Sequence, residues 1–430
     1  MRSTAGVPIS DAGVVDPAQP GPGYRKLARN SAVAAGAVGV NGLLSAAILA
    51  LCAKFGQTAE IAAYTVMTSA LAFVLIALSG GSAMLYLNGT EDQRALVRSQ
   101  WALVIVPGLL LGALVAGGFY ALRGYSGTAL AAAGVVVLGN GLAQLQIADF
   151  NRRTRFLASA VLMCASKAAS LVLVLCGVPL TLALATAGLA QLVAGELVLG
   201  RDGSLRHVRP RTLTLRRAFA AYRSGRQLFG FALGELYVAR FATLVLSLLA
   251  TPAVMGSFGA VAVAYQAIGG VVLSALQVPM VARARSRLGL EHARHPASFA
   301  VAVALVCAVP MAAAVAWLAP WLTGTLLSLP HRAAAGWLAL FMLALPFVSV
   351  TRALMYNWIG DGHYSRATKA MALLAALLTL AAGFGVVRFG PMGAAGATAA
   401  AEMAALAVIL LFEWRRRVGR PSAEALSATG

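Results

Sequence analysis

Apolar runs of about twenty residues recur along the whole chain, separated by short polar intervals, and they decide what it can fold into. The runs are Ser31–Ala53, Ile61–Leu87, Trp101–Leu122, Thr128–Ile147, Phe156–Cys176, Val178–Leu199, Leu228–Leu249, Val254–Met280, Phe299–Leu318, Ala333–Trp358, Ala370–Val387 and Pro391–Phe412. Each is long enough to cross roughly 30 Å of hydrocarbon as a helix. No water is present there to satisfy backbone N–H and C=O groups, so each segment must pair them internally, which selects helices. Composition agrees: 11% of the 430 residues are charged and mean hydropathy is +0.81, where a soluble domain carries roughly a quarter charged residues. The expected fold class is all-α, a polytopic membrane protein of about 12 transmembrane helices.

The formal net charge of +20 would suggest a nucleic-acid partner in a soluble protein, but its distribution excludes one. With the N-terminus in the cytoplasm, alternate loops on that side collect Arg25, Lys26 and Arg29, then Arg94 and Arg98, then Arg152, Arg153 and Arg155. The central interval adds Arg201, Arg206, Arg209, Arg211, Arg216, Arg217, Arg223 and Arg226, and later loops add Arg283, Arg285, Arg287, Arg294, Arg366, Lys369, Arg415, Arg416 and Arg417. The opposite side holds Lys54, Arg123, Arg332 and Arg388. The positive-inside rule therefore expects both termini in the cytoplasm. The bases flank helices, where anionic membrane lipids are their natural partners. Trp101, Trp321, Trp337, Trp358 and Trp414 fall near run ends, where indole rings are expected at the headgroup level.

A stretch beginning at Ile147 is echoed 212 positions later without a gap. Ile147, Asp149, Pro179, Ala185, Thr186 and Ala187 recur as Ile359, Asp361, Pro391, Ala397, Thr398 and Ala399. In an alanine-rich chain the isolated Asp, Pro and Thr carry the weight. The shift is half the chain and spans an even number of helices, so the halves enter the membrane in the same sense. This predicts two six-helix bundles related by a pseudo-two-fold axis along the membrane normal, the plan of a transporter. The expected organisation is a disordered cytoplasmic tail over 1–30, an N-terminal lobe over 31–199, a basic cytoplasmic linker over 200–227, a C-terminal lobe over 228–412 and a tail over 413–430.

Enzyme chemistry finds little support. No Walker A sequence is present, so ATP is not hydrolysed, and no cofactor motif appears. His292 and His295 lie in a basic loop without acidic ligands, and Cys52, Cys164, Cys176 and Cys307 stand singly inside runs, so neither a metal site nor a disulfide framework is expected. No catalytic residue is assigned. Charges inside the runs are the stronger lead, because an isolated charge in hydrocarbon is costly and tends to face a cavity or a partner. Lys167 sits midway along the fifth run, Arg240 midway along the seventh, and Arg352 in the inner half of the tenth. Glu235, Glu402 and, close to a run end, Glu196 are the acidic counterparts, either coupling an ion or pairing helices. Glu235 and Arg240 lie about 140° apart around a helix, poorly placed to pair with each other.

The segment Gly390-Pro-Met-Gly-Ala-Ala-Gly-Ala-Thr-Ala-Ala-Ala-Glu402 resembles the opening of the last helix in bacterial polysaccharide and O-antigen flippases, which move lipid-linked oligosaccharides. These belong to the multidrug/oligosaccharidyl-lipid/polysaccharide exporter superfamily. Glu235-Leu-Tyr-Val-Ala-Arg240, the stretch from Val254 to Tyr265 and Pro279-Met-Val-Ala-Arg283 are similar to that family's seventh and eighth helices, and Gly360-Asp-Gly362 fits the turn before the eleventh. Two departures stand out: Ala239 replaces an Asp frequent before the seventh-helix Arg, and Tyr86-Leu-Asn88 replaces an Arg that often ends the second helix.

The resemblance implies a non-enzymatic flippase of the bacterial inner membrane. It would carry undecaprenyl-diphosphate-linked oligosaccharide outward for surface polysaccharide, with a polysaccharide polymerase and other assembly proteins as partners. Arg240, Lys167 and Arg352 would then line a cationic cavity for the diphosphate, between lobes that alternate their access. Two alternatives remain: a cation-coupled drug or small-solute exporter of the same superfamily, and a membrane-embedded glycosyltransferase or polymerase. The last is disfavoured because the longest outer interval, Ala319–Arg332, contains no Asp or Glu.

Overall fold

The computed structural model describes residues 23–80, 82, 86, 91–152, 155–200, 203, 205, 208, 213–287, 297–327, 329 and 333–418. They form α1 (Gly23–Lys54), α2 (Thr58–Ser79), α3 (Glu91–Leu122), α4 (Gly127–Arg152), α5 (Phe156–Leu175), α6 (Leu180–Leu199), α7 (Leu215–Leu249), α8 (Pro252–Arg287), α9 (Ala297–Trp321), α10 (Ala334–Gly360), α11 (364–389) and α12 (391–418). No strand occurs among the described residues. Among the described residues ten helices are long and apolar enough to span a membrane; α1 and the division of the last of them at Gly390 bring the number to twelve. Apolar residues such as Leu111, Leu114 and Leu122 of α3 remain exposed, as a lipid-facing surface requires.

Boundaries move where local chemistry dictates. The second run was expected to reach Leu87, but α2 ends at Ser79 because Gly80 takes a left-handed φ of 55° and donates its N–H to the Ile76 carbonyl. A Cβ at Gly80 would stand 2.7 Å from Tyr222 Cε2, so the same glycine admits α7. α7 begins at Leu215, inside the interval expected as linker, where the Thr214 hydroxyl caps it by accepting from Arg217 N at 3.3 Å. α1 begins at Gly23; the preceding part of the expected tail lies outside the described residues, as do Arg153, Arg201, Arg206, Arg209, Arg211, Arg294, His292, His295 and Asn88. Two of the tryptophans near run ends, Trp101 and Trp337, pack against protein and are buried.

The sequence echo has a structural counterpart. α4–α5–α6 in the first half corresponds to α10–α11–α12 in the second. Pro179 immediately precedes α6 as its N-cap, and Pro391 opens α12. Thr186 Oγ1 donates to the Leu182 carbonyl at 2.9 Å, and its twin Thr398 donates to the Ala394 carbonyl at 3.3 Å. Gly390 (φ 56°, ψ −131°) turns α11 back into α12, and Gly385 lies so close to Gly393 that a Cβ would stand 2.9 Å from the Gly393 carbonyl oxygen. The halves meet through quasi-equivalent elements: α1 packs on α8, and α2 on α7 and α8. The whole is an all-helical bundle pair with internal two-fold pseudo-symmetry.

Candidate functional site

The second half buries a charged cluster. Arg352 of α10 donates from Nη2 to Glu402 Oε1 of α12 at 3.2 Å, and its Nε lies 3.8 Å from Glu235 Oε1 of α7. Tyr356, one turn after Arg352, donates its hydroxyl to the same Glu235 oxygen at 2.9 Å. Arg352 is 3% exposed and Glu402 0%. Three helices are thus tied around a cavity of about 170 Å³, which Tyr265, Gln266 and Thr398 also border.

These contacts redistribute the residues singled out from sequence. Arg352, Glu235 and Glu402 come together, with Glu235 reaching across to α10 rather than along α7 to Arg240. The three cations do not surround one cavity. Lys167 is half-buried on α5, which packs on α1, α4 and α6, and it does not border the α7–α8–α10–α12 cavity. Arg240 is half-buried on α7, with Tyr64 of α2 as its electrostatic neighbour, and neither it nor Lys167 has an ion pair among the described residues. Of the three cations expected in one chamber, only Arg352 borders this cavity. The Arg352 guanidinium is offset by two carboxylates, and Arg240 stands apart in the seam between the halves.

Contacts cross that seam at several levels among the described residues. At the end carrying the α1–α2 turn, the Tyr120 and Ser247 hydroxyls bond at 2.7 Å, and the Arg123 guanidinium donates to the Leu248 carbonyl. Gly256 lies against the Thr58 carbonyl and Gly259 against the Thr65 side chain. Toward the other end a Cβ at Gly42 would meet Ala267 Cβ at 3.2 Å, and Phe73 packs edge-on to Tyr237 with centroids 5.9 Å apart. Asp149 of the echo, singled out only as a repeat marker, accepts from the Tyr86 hydroxyl at 3.0 Å. Tyr356 was within reach of sequence reasoning, since four residues from Arg352 is the same helix face. Ser247 and Tyr120 carried no such signal.

No family model and no curated protein matches the sequence. Solved structures do. The lipid II flippase MurJ in its inward closed conformation superposes with a TM-score of 0.65 at 15% identity, over 87% of this chain and 86% of that one. The Vibrio cholerae MATE transporter VcmN gives 0.58 at 15% identity over 92% and 97% of the two chains. The eukaryotic MATE transporter AtDTX14 gives 0.52 at 17% identity over 90% and 96%. The chain is a multi-pass membrane protein with the fold common to the MurJ flippase and the MATE transporters.

Proposed function

We propose that this chain is a flippase that carries an undecaprenyl-diphosphate-linked oligosaccharide from the cytoplasmic to the outer leaflet of a bacterial inner membrane, for surface polysaccharide such as O-antigen. The observation that carries the reading is Arg240: a mid-membrane guanidinium in the seam between the halves with no carboxylate paired to it among the described residues. A cation left unneutralised at that depth suits an anionic headgroup, and guanidinium offers forked hydrogen bonds to phosphate. The likeness to a solved lipid II flippase and the flippase-like segments around Glu235–Arg240 and Gly390–Glu402 support it further. The lobes 31–199 and 228–412 would rock about the seam while the lipid tail stays in the bilayer, with the product passing to a polymerase. Lys167 would serve as a second cationic contact on the N-terminal lobe.

A second reading rests on the acidic excess of the C-terminal cavity, where Glu235 and Glu402 outnumber Arg352. Two carboxylates against one guanidinium favour a cation, as in a cation-coupled drug or solute exporter. Deletion of the gene separates the two readings. Lipid-linked repeat units accumulating on the cytoplasmic face support the flippase, whereas intact surface glycan with altered drug sensitivity overturns it.

A further inference from the structure

The cavity beside Arg352 and Glu402 is under-satisfied by its own walls. A guanidinium has five N–H donors, yet Arg352 commits only Nη2, to Glu402; its Nη1 and Nε have no hydrogen-bond partner, and neither has Glu402 Oε2. Leaving such buried groups unmade is costly, so the space calls for an occupant with both acceptors and donors.

Charge narrows the choice. One guanidinium between two carboxylates leaves a formal excess of one negative charge, which repels a diphosphate. A metal ion at Glu402 Oε2 would stand beside a guanidinium already 3.2 Å from the other oxygen of that carboxylate. A neutral polyhydroxylated group meets both objections, since each hydroxyl accepts and donates. The remaining walls fit a sugar ring. Tyr265 and Phe341, stacked with centroids 4.7 Å apart and 16° between planes, both border the cavity and add aromatic surface to its wall. Val238, Leu273 and Val348 are apolar. The volume of about 170 Å³ holds about five or six waters at ~30 Å³ each, or one pyranose ring in their place.

We infer that this cavity is a sugar subsite, taking one uncharged pyranose of the transported headgroup. Arg352 Nη1 and Nε donate to its hydroxyl oxygens and Glu402 Oε2 accepts from a hydroxyl. The inference rests on the lipid-linked glycan reading and divides the labour within it: diphosphate at Arg240 in the seam, sugar in the C-terminal lobe.

The test uses the purified full-length protein in detergent, with thermal unfolding followed by its native tryptophans. The probes are the methyl glycosides of glucose, galactose, mannose, N-acetylglucosamine and rhamnose, compared with inorganic pyrophosphate and with sodium against choline chloride. At least one glycoside is expected to raise Tm by about 2 °C, and the shift is expected to vanish in Glu402→Gln and in Ala262→Leu. The second variant fills the cavity from α8 without touching the ion pair, so it decides the matter if the first does not fold. The subsite is overturned if no glycoside moves Tm, if the shift survives in Ala262→Leu, or if sodium alone produces it. Failure here with lipid-linked units still accumulating in a deletion strain removes the subsite only. A glycoside shift in a protein whose deletion leaves surface glycan intact removes the flippase reading only.

Discussion

Substituting Gly256 by alanine tests whether the seam opens at the end carrying the α1–α2 turn. A Cβ there would collide with the Thr58 carbonyl oxygen and stand 3.0 Å from its carbon. The obstacle is backbone, so it cannot be relieved by a rotamer change, and α8 and the start of α2 must separate. Overpacking of this kind costs about 1–3 kcal/mol. The cost falls only on states in which the seam is closed at this end, so the open:closed ratio should rise about 5–150-fold. Ser247 is fully buried against Tyr120 in the closed seam. Ser247→Cys, in a background where Cys52, Cys164, Cys176 and Cys307 are replaced, therefore reports opening by its reaction with a membrane-impermeant maleimide. Adding Gly256→Ala should raise the labelling rate by that factor and depress glycan export. Gly117→Ala, with nothing within 4 Å of its Cβ, should change neither. Unchanged labelling in a well-folded Gly256→Ala protein would refute the idea that this contact latches the seam.

Three further outcomes are expected. Arg240→Ala should abolish export while the protein still reaches the membrane, and Lys167→Ala, which removes the secondary contact on α5, should lower it only in part; quantifying surface polysaccharide in complemented strains checks both. Arg352→Met should lower unfolding free energy by about 3–5 kcal/mol by stranding Glu402, and adding Glu402→Leu should recover most of that loss without restoring export, as thermal unfolding and export assays on the two variants would reveal. Gly390→Ala should cost about 1–3 kcal/mol through backbone strain alone, since its Cβ would meet nothing within 4 Å, and the drop in Tm measures it.

Span number and helical class were legible because twelve apolar runs leave a backbone in hydrocarbon no other solution. The end of α2 was not, because hydropathy runs on past Gly80 while a left-handed φ and the approach of Tyr222 stop the helix there. The partners of Arg352 were hidden for a different reason. Helices apolar on nearly every side carry no periodic stripe to reveal which face turns inward, so nothing in the sequence aims Glu402 of α12 or Glu235 of α7 at α10. Only Tyr356, on the same helix face, was reachable. Arg240 lies beside Tyr64 of α2, and its separation from Arg352 depends on how four helices rotate.

The echo between the halves gives that separation a meaning. The scaffold repeats down to a threonine hydroxyl bonding the carbonyl four residues back, at Thr186 and at Thr398. The charges do not repeat: Arg352 is buried among carboxylates, whereas Asn140, opposite it under the 212-residue shift, is exposed on α4. Thr379, opposite Lys167, donates its hydroxyl to the Ala375 carbonyl at 2.8 Å and accepts from the Tyr237 hydroxyl at 2.8 Å. Duplicated lobes with identical polar interiors would offer a ligand two equivalent resting places. Under the proposed function, a buried Arg352 cluster in the C-terminal lobe and Arg240 in the seam would instead meet two chemically different ends of one ligand.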